Sequence, residues 1–259
     1  MKEETVLSDF FDALRRGPSS LLALDYDGTL AAFQTDRLRA HPYPGVVPLL
    51  ASIQSCAKTR TVIVSGRPVA EVKALLYPIE NVEMWGSHGM EKLSADGTYH
   101  PWKMCAANVQ ALQEAGEKVH HAGLGPRTEI KPGSVAVHWR DVSPTEAQEM
   151  ESMVLAIWGP LLSHSGLMLM YFDGGLELRV AHPNKGDVMA QLLATVGPGA
   201  QVAYLGDDLT DEDAFRALKG RGLPVLVRPE YRQTGAEVWL RPPQEMLDFL
   251  KRWLNCVSV

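Results

Sequence analysis

The stretch "LLALDYDGTL", residues 21–30, decides how the rest of the chain is read. Leu21 to Leu24 form an apolar run suited to a buried strand, and the run stops at two aspartates, Asp25 and Asp27. Buried carboxylates are costly unless something occupies them, and the usual occupants are a metal ion, a phosphate group, or both. On an extended backbone residues i and i+2 point the same way, so both carboxylates face one crevice. Gly28 permits a tight turn close to a ligand, and Thr29 adds a hydroxyl and an amide donor. Two acids this close repel unless a cation bridges them or one is protonated. A hard divalent cation with oxygen ligands, most simply Mg2+, resolves the conflict. One aspartate is then placed to attack an electrophile, the other to give a proton to the leaving group and later take one from water. The competing reading, a surface turn with solvated aspartates, sits poorly with the apolar run directly before it.

Two further apolar runs end in the same manner. "TVIVSGRP", residues 61–68, stops at Ser65, and "QVAYLGDD", residues 201–208, stops at Asp207 and Asp208. Short runs that are apolar on both faces suit the middle of a parallel sheet covered by helices. Helical patterns follow at Val69 to Leu76 and at Asp211 to Leu218. This alternation predicts an α/β fold, a Rossmann-like, doubly wound parallel sheet. Ligands of such sheets lie beyond the carboxyl ends of the strands, so the three polar clusters converge on one crevice. In "GDDLTDEDAF", residues 206–215, helix capping accounts for Thr210, Asp211 and Glu212. It does not account for the strand-end pair, which reads as metal ligation with Asp207 the direct ligand. Ser65 and the amides around Gly66, ahead of a helix opening near Pro68, make an anion site. Arg67 either adds to that site or lies on the surface. Lys185, in "HPNKGDVM", residues 182–189, would balance the carboxylates and hold a phosphate oxygen.

The middle of the chain differs. Residues 102–181 read as helix, strand, helix, strand, strand, with Asp173-Gly174-Gly175 as a hairpin signal. We expect a smaller α+β domain at 102–181, inserted into a core formed by 1–101 and 182–259. With 46% hydrophobic and 22% charged residues, the 259-residue chain has the composition of a folded globular protein. Its formal net charge of -6 argues against general affinity for nucleic acid or anionic membranes. No basic stretch with interleaved aromatics occurs, and no apolar run approaches the ~20 residues of a membrane span. The polar N-terminus lacks the apolar segment of a signal peptide, so a cytoplasmic protein, monomeric or weakly oligomeric, is expected. Cys56, Cys105 and Cys256 have no metal-ligand spacing and are expected as reduced, mostly buried thiols. Trp239, Phe249 and Trp253 are expected on a terminal helix packed against the core, with a partner surface as the alternative reading. His120, His121 and His138 are expected to be packing or surface residues, lacking the ligand company of a transition-metal site.

Taken together and in this order, "DYDGT", Ser65, Lys185 and "GDDLTD" resemble the four motifs of the haloacid dehalogenase superfamily of phosphotransferases. The resemblance implies that Asp25 forms an aspartyl-phosphate and Asp27 is the general acid and base. It implies Mg2+ held by Asp25, the Asp27 backbone carbonyl and Asp207, with Asp208 beside them. An insert between the second and third motifs is, in this superfamily, a cap over the site. Over nearly the whole chain, "LALDYDGTLA", "IVSGRP", "GSHGMEK", "TEIKPGSVAVHWR", "LELR" with "NKG", and "YLGDDLTDEDAF" resemble the trehalose-6-phosphate phosphatase family. That likeness implies release of trehalose and phosphate from trehalose 6-phosphate. It places His88 near the junction of core and cap, and His88 joins Gly66 and Arg67 of the anion site in the expected substrate-binding set. It also assigns Glu129, Lys131 and Glu177 to the sugar that carries no phosphate. From spacing alone, Glu129 with Lys131 and Glu177 with Arg179 read more simply as a solvated sheet face. One departure stands out: a proline is expected soon after Arg179, and Val180 and Ala181 intervene before His182 and Pro183. Other substrates with the same core chemistry are sucrose phosphate and mannosyl- or glucosyl-phosphoglycerate. A catalytically silent sugar-phosphate sensor or partner domain would be expected to lose Asp25, Asp27 or Lys185, and all three are present.

Overall fold

Strand β1 (Ser20–Leu24) is buried on both faces, which is why its residues Leu21 to Leu24 are all apolar. The computed structural model describes residues 2–34, 37–163, 166–172 and 174–258. By internal contacts the chain falls into two units, residues 1–101 with 183–259, and residues 102–182; His182 thus goes with the insert. In the first unit α1 (Lys2–Arg16) precedes β1, and α2 (Val46–Gln54) leads to β2 (Thr59–Val64). Next come α3 (Val69–Leu75), β3 (Glu83–Gly86), β4 (Glu91–Leu93) and β5 (Tyr99–Pro101). Strands β1, β2 and β3 pair in parallel, whereas β4 and β5 add antiparallel at that edge.

The inserted unit opens with α4 (Ala106–Val119). Residues 128–138 form two strands, β6 (Thr128–Lys131) and β7 (Ser134–His138), turning at Pro132 and Gly133, where Gly133 has φ of +78°. The sequence pattern had shown one strand here. A capping box at Ser143 and Glu146 starts α5 (Pro144–Trp158). Strands β8 (Leu167–Phe172) and β9 (Gly175–Val180) pair antiparallel, as the Asp-Gly-Gly signal predicts, although Asp173 lies outside the described residues. The sheet order is β6-β7-β9-β8. Its apolar residues Val135, Val137, Leu176 and Leu178 are buried, as are Ala115 and Val119 of α4 and Val154 and Trp158 of α5.

The chain re-enters the first unit at α6 (Lys185–Thr195), followed by β10 (Gln201–Gly206) and α7 (Glu212–Leu218). It ends with β11 (Leu223–Val227), β12 (Val238–Leu240) and α8 (Gln244–Val257). The eight-stranded order is β12-β11-β10-β1-β2-β3-β4-β5. From β1 the chain steps outward through β2 to β5; from β10 it steps outward the other way. The order therefore reverses between β1 and β10, the place where such sheets bind ligands. Phe11, Leu14, Leu50, Val72 and Trp253 bring α1, α2, α3 and α8 into one core cluster, and Met189, Leu192, Phe215 and Leu218 bring α6 and α7 into the other. Trp239 sits in β12 and not on the terminal helix, which carries Phe249 and Trp253 as expected. Of the cysteines only Cys256 is buried; Cys56, at the edge of the core, is half-buried and Cys105 is exposed. Among the described residues no helix is long and apolar enough to cross a membrane.

Candidate active site

The ends of β1 and β10 lie side by side, Leu24 opposite Leu205, and the Asp25 amide donates to the Leu205 carbonyl at 2.8 Å. This register sets Asp25 level with Gly206, one residue before Asp207, so both acids leave the sheet at the same end. Gly28 has φ of +77°, and a β-carbon there would overlap the Asp207 carboxylate. Glycine is thus required twice, for the turn and for the close approach of Asp207. An Asn184 capping box, accepting from the Gly186 and Asp187 amides, starts α6 so that Lys185 is its first residue. The Lys185 ammonium is buried and donates to Asp25 Oδ1 at 2.8 Å and Asp211 Oδ1 at 2.7 Å.

Asp211 is the residue that helix capping explained away. It is wholly buried and accepts from four donors: Lys185, the Tyr204 hydroxyl at 2.6 Å, and the amides of Asp207 and Asp208 at 3.0 and 2.9 Å. Its i, i+3 spacing from Asp208 gave no hint of this, since the deciding partners come from α6 and β10. Asp25, Asp207 and Asp211 bring carboxylate oxygens within 4.8 Å of one another. Asp27 and Asp208 lie outside that group of three.

The electrostatics follow from burial. Burial, outweighing Lys185, pushes the Asp25 carboxyl up from an ordinary 3.8 to about 7, and the neighbouring Asp211 and Asp27 charges add to the rise. Burial also drives Asp207 well above the carboxylate range, helped by Asp25, Asp211 and Asp208. Burial alone would lower Lys185, but the Asp211 and Asp25 carboxylates more than offset it and raise the ammonium above its usual value. Asp207 Oδ1 and Thr29 Oγ1 are buried with no hydrogen-bond partner among the described residues. An unpartnered buried carboxylate oxygen among acids is the setting a hard cation fits, and the donor set is all oxygen. With Asp211 saturated by its four donors, Asp25 and Asp207 are the carboxylates left to hold it.

Arg67 lies inside the site and not on the surface. Its guanidinium forks onto Asp27, Nε to Oδ2 at 2.6 Å and an Nη donor to Oδ1 at 2.7 Å, with Glu71 at 3.4 Å. Ser65 Oγ accepts the Arg67 amide at 3.1 Å. Ser87 and His88 are both held at positive φ, 48° and 57°, and the His88 amide donates to the Ser65 carbonyl. A β-carbon on Gly66 would lie 2.7 Å from His88 Nε2, so the imidazole rests on the Gly66 backbone. The structure thus gathers Asp25, Asp207 and Lys185 in one cluster, and links Asp27 with Arg67 and Ser65, Gly66 with His88, in the same unit.

In the inserted unit, β6, β7 and β9 align Glu129 beside Ala136 and Ala136 beside Glu177, with Lys131 beside Ser134. Lys131 Nζ lies 3.2 Å from Glu129 and 3.7 Å from Glu177, and Ser134 donates to Glu177 at 2.6 Å. His138 joins this polar face, its Nε2 3.1 Å from Glu129, a contact that its position on a hydrophobic strand did not advertise.

A reversing parallel sheet with carboxylates at the ends of β1 and β10 defines the class: the fold is that of the haloacid dehalogenase-like hydrolases. One such hydrolase from Bacteroides thetaiotaomicron superposes with a TM-score of 0.65 at 15% identity, covering 90% of this chain and 99% of that one. The C-terminal domain of trehalose-6-phosphate phosphatase from C. albicans superposes with a TM-score of 0.80 at 20% identity, covering 96% of each chain. At these identities the likeness is one of fold. The trehalose-phosphatase family profile matches residues 23–236, and the chain belongs to that family. It is 30% identical over 256 residues to the trehalose-phosphate phosphatase of Mycobacterium ulcerans (strain Agy99). That alignment covers 93% of this chain and 63% of the relative, so the chain spans less than two thirds of the relative's length.

Proposed function

We propose that this chain hydrolyses trehalose 6-phosphate to trehalose and phosphate through an aspartyl-phosphate on Asp25, with Mg2+ as cofactor. One observation carries the reading: a trehalose-phosphatase family match spanning residues 23–236 in which Asp25, Lys185 and Asp207 meet at the strand ends. The Asp25 and Asp207 carboxylates and the Asp27 backbone carbonyl would hold Mg2+. When bound, the ion would neutralise charge on the carboxylates and on the phosphoryl oxygens.

Asp25 attacks phosphorus as the bond to the sugar oxygen breaks, and Asp27 gives that oxygen its proton. Asp27 then takes a proton from water, whose oxygen attacks phosphorus and releases phosphate from Asp25. In the structure both Asp27 oxygens accept from Arg67, so that pair opens before Asp27 meets a leaving group. Ser65, Lys185 and the Gly66 backbone bind the phosphoryl oxygens. The Glu129, Lys131 and Glu177 face, rich in both donors and acceptors, suits the hydroxyls of the unphosphorylated glucose.

The test is phosphate release with Mg2+ from trehalose 6-phosphate, sucrose 6-phosphate, glucose 6-phosphate and mannosyl-3-phosphoglycerate, with Asp25→Asn as the blank. Preference for trehalose 6-phosphate, lost in the blank, supports the whole reading. Activity on another substrate alone keeps the mechanism and removes the substrate assignment. No release from any of them returns the chain to the sensor reading.

A further inference from the structure

The loop between β11 and β12 reaches back to the loop that carries Asp207. Arg232, mostly buried, donates to the Asp208 carbonyl at 2.7 Å and, through Nε, to the Asp207 carbonyl at 3.3 Å. Arg228 adds a longer contact to the same Asp207 carbonyl at 3.4 Å. The other side of the Arg232 guanidinium is anchored on the Glu212 carboxylate. Glu212 in turn accepts from the Thr234 hydroxyl at 2.7 Å and the Gly235 amide at 2.8 Å. On the amide side, the same two residues, Asp207 and Asp208, donate to Asp211. Their peptide groups are therefore gripped from both directions, by a carboxylate and by a guanidinium more than twenty residues away.

We propose that Arg232 is a positioning residue, which fixes the Asp207–Asp208 loop and so aims the Asp207 carboxylate at the cation. The inference rests on reading the acidic cluster as a cation site. The rigid planar fork fixes two successive carbonyls and a carboxylate in one geometry, which the compact ammonium of a lysine does not reproduce. Electrostatics and positioning make opposite predictions here. Removing a positive charge beside a cation site, with Glu212 left behind, would tighten cation binding if charge alone mattered. Losing the clamp weakens it, because groups that orient a metal ligand are worth about 10–100-fold in affinity.

The experiment is Mn2+ titration of the full chain followed by electron paramagnetic resonance of the free ion, which reads affinity without turnover. Wild type, Arg232→Gln, Arg232→Lys and Asp207→Asn are compared, with circular dichroism to show that each is folded. The expected result is about a tenfold rise in Kd for Arg232→Gln, with Arg232→Lys close to it. Unchanged or tighter binding in Arg232→Gln, or full recovery in Arg232→Lys, overturns the proposal. If wild type and Asp207→Asn bind Mn2+ equally, the cation site itself is wrong and the inference falls with it. Should Arg232→Gln fail to fold, Thr234→Val loosens the Glu212 anchor of the clamp without changing any charge. A weaker Mn2+ site in that variant supports the proposal, and an unchanged one overturns it.

Discussion

Removing the candidate nucleophile should make the metal-free protein more stable, by an amount that depends on pH. Asp25 is held near a pKa of about 7 against an ordinary 3.8, chiefly because burial disfavours its charged form. A carboxyl raised in this way leaves stability intact below about pH 4, where it is protonated folded or unfolded. Stability is then lost as pH rises toward 7, since the unfolded chain ionises first. Roughly three pH units at about 1.36 kcal/mol each give about 4 kcal/mol, reached near pH 7 and flat above it. An asparagine side chain cannot ionise, so the pH-dependent part of the difference between wild type and Asp25→Asn isolates this penalty. The loss of the Lys185 contact is a constant offset, and relief of Asp207 acts in the same direction. The assay is urea denaturation in EDTA at intervals from pH 4 to 8. The gap should grow in favour of Asp25→Asn by up to about 4 kcal/mol, and saturating Mg2+ should narrow it by binding the native wild type. A gap that stays level from pH 4 to 8, or that moves in the opposite direction, refutes the reasoning.

Lys185→Met strands Asp25 and Asp211 without their buried cation; it should cost about 3–5 kcal/mol in urea at pH 8 with EDTA. Tyr204→Phe removes one donor from Asp211 and should cost about 1.5–3 kcal/mol, seen as a lower urea midpoint at unchanged slope. Lys131→Met should raise KM for trehalose 6-phosphate about tenfold, the worth of one charge-assisted hydrogen bond, and leave p-nitrophenyl phosphate hydrolysis unchanged. A parallel loss on the small aryl phosphate would show that Lys131 acts on the core and not on the sugar.

What could be read from sequence was whatever a short local pattern determines. An apolar run that stops at Asp25 or at Asp207 announces a buried strand with a polar end, and the β1 and β10 register bears this out. Short strands such as β4, β5 and β12 span three residues each and offer no period to detect. Asp211 was hidden because an acid at a helix start is already explained by the helix; its partners Lys185 and Tyr204 arrive through tertiary packing. Arg67 was undecided for the same reason, since only folding brings it to Asp27 across 40 residues. His138, read as a packing or surface residue, is partly exposed, and only the β6–β7 hairpin sets it against Glu129.

Asp211, Tyr204 and Arg67 share a physical role, and it explains why the site holds together before any ligand arrives. Three carboxylates, Asp25, Asp207 and Asp211, meet one ammonium, so full ionisation leaves two negative charges in a buried place. Lys185 and Tyr204 satisfy Asp211, which spends its own charge holding the Asp207–Asp208 peptides; Arg67 holds Asp27 at the rim. The excess therefore falls on Asp25 and Asp207, the two whose carboxyls are pushed upward. Burial favours a retained proton there, and on the proposed reading a divalent cation would displace it. On that reading cation binding, Asp25 ionisation and stability form one coupled equilibrium at the ends of β1 and β10. Asp211, the acid that holds the loop, is fully paired, while Asp207 keeps a carboxylate oxygen with no hydrogen-bond partner among the described residues.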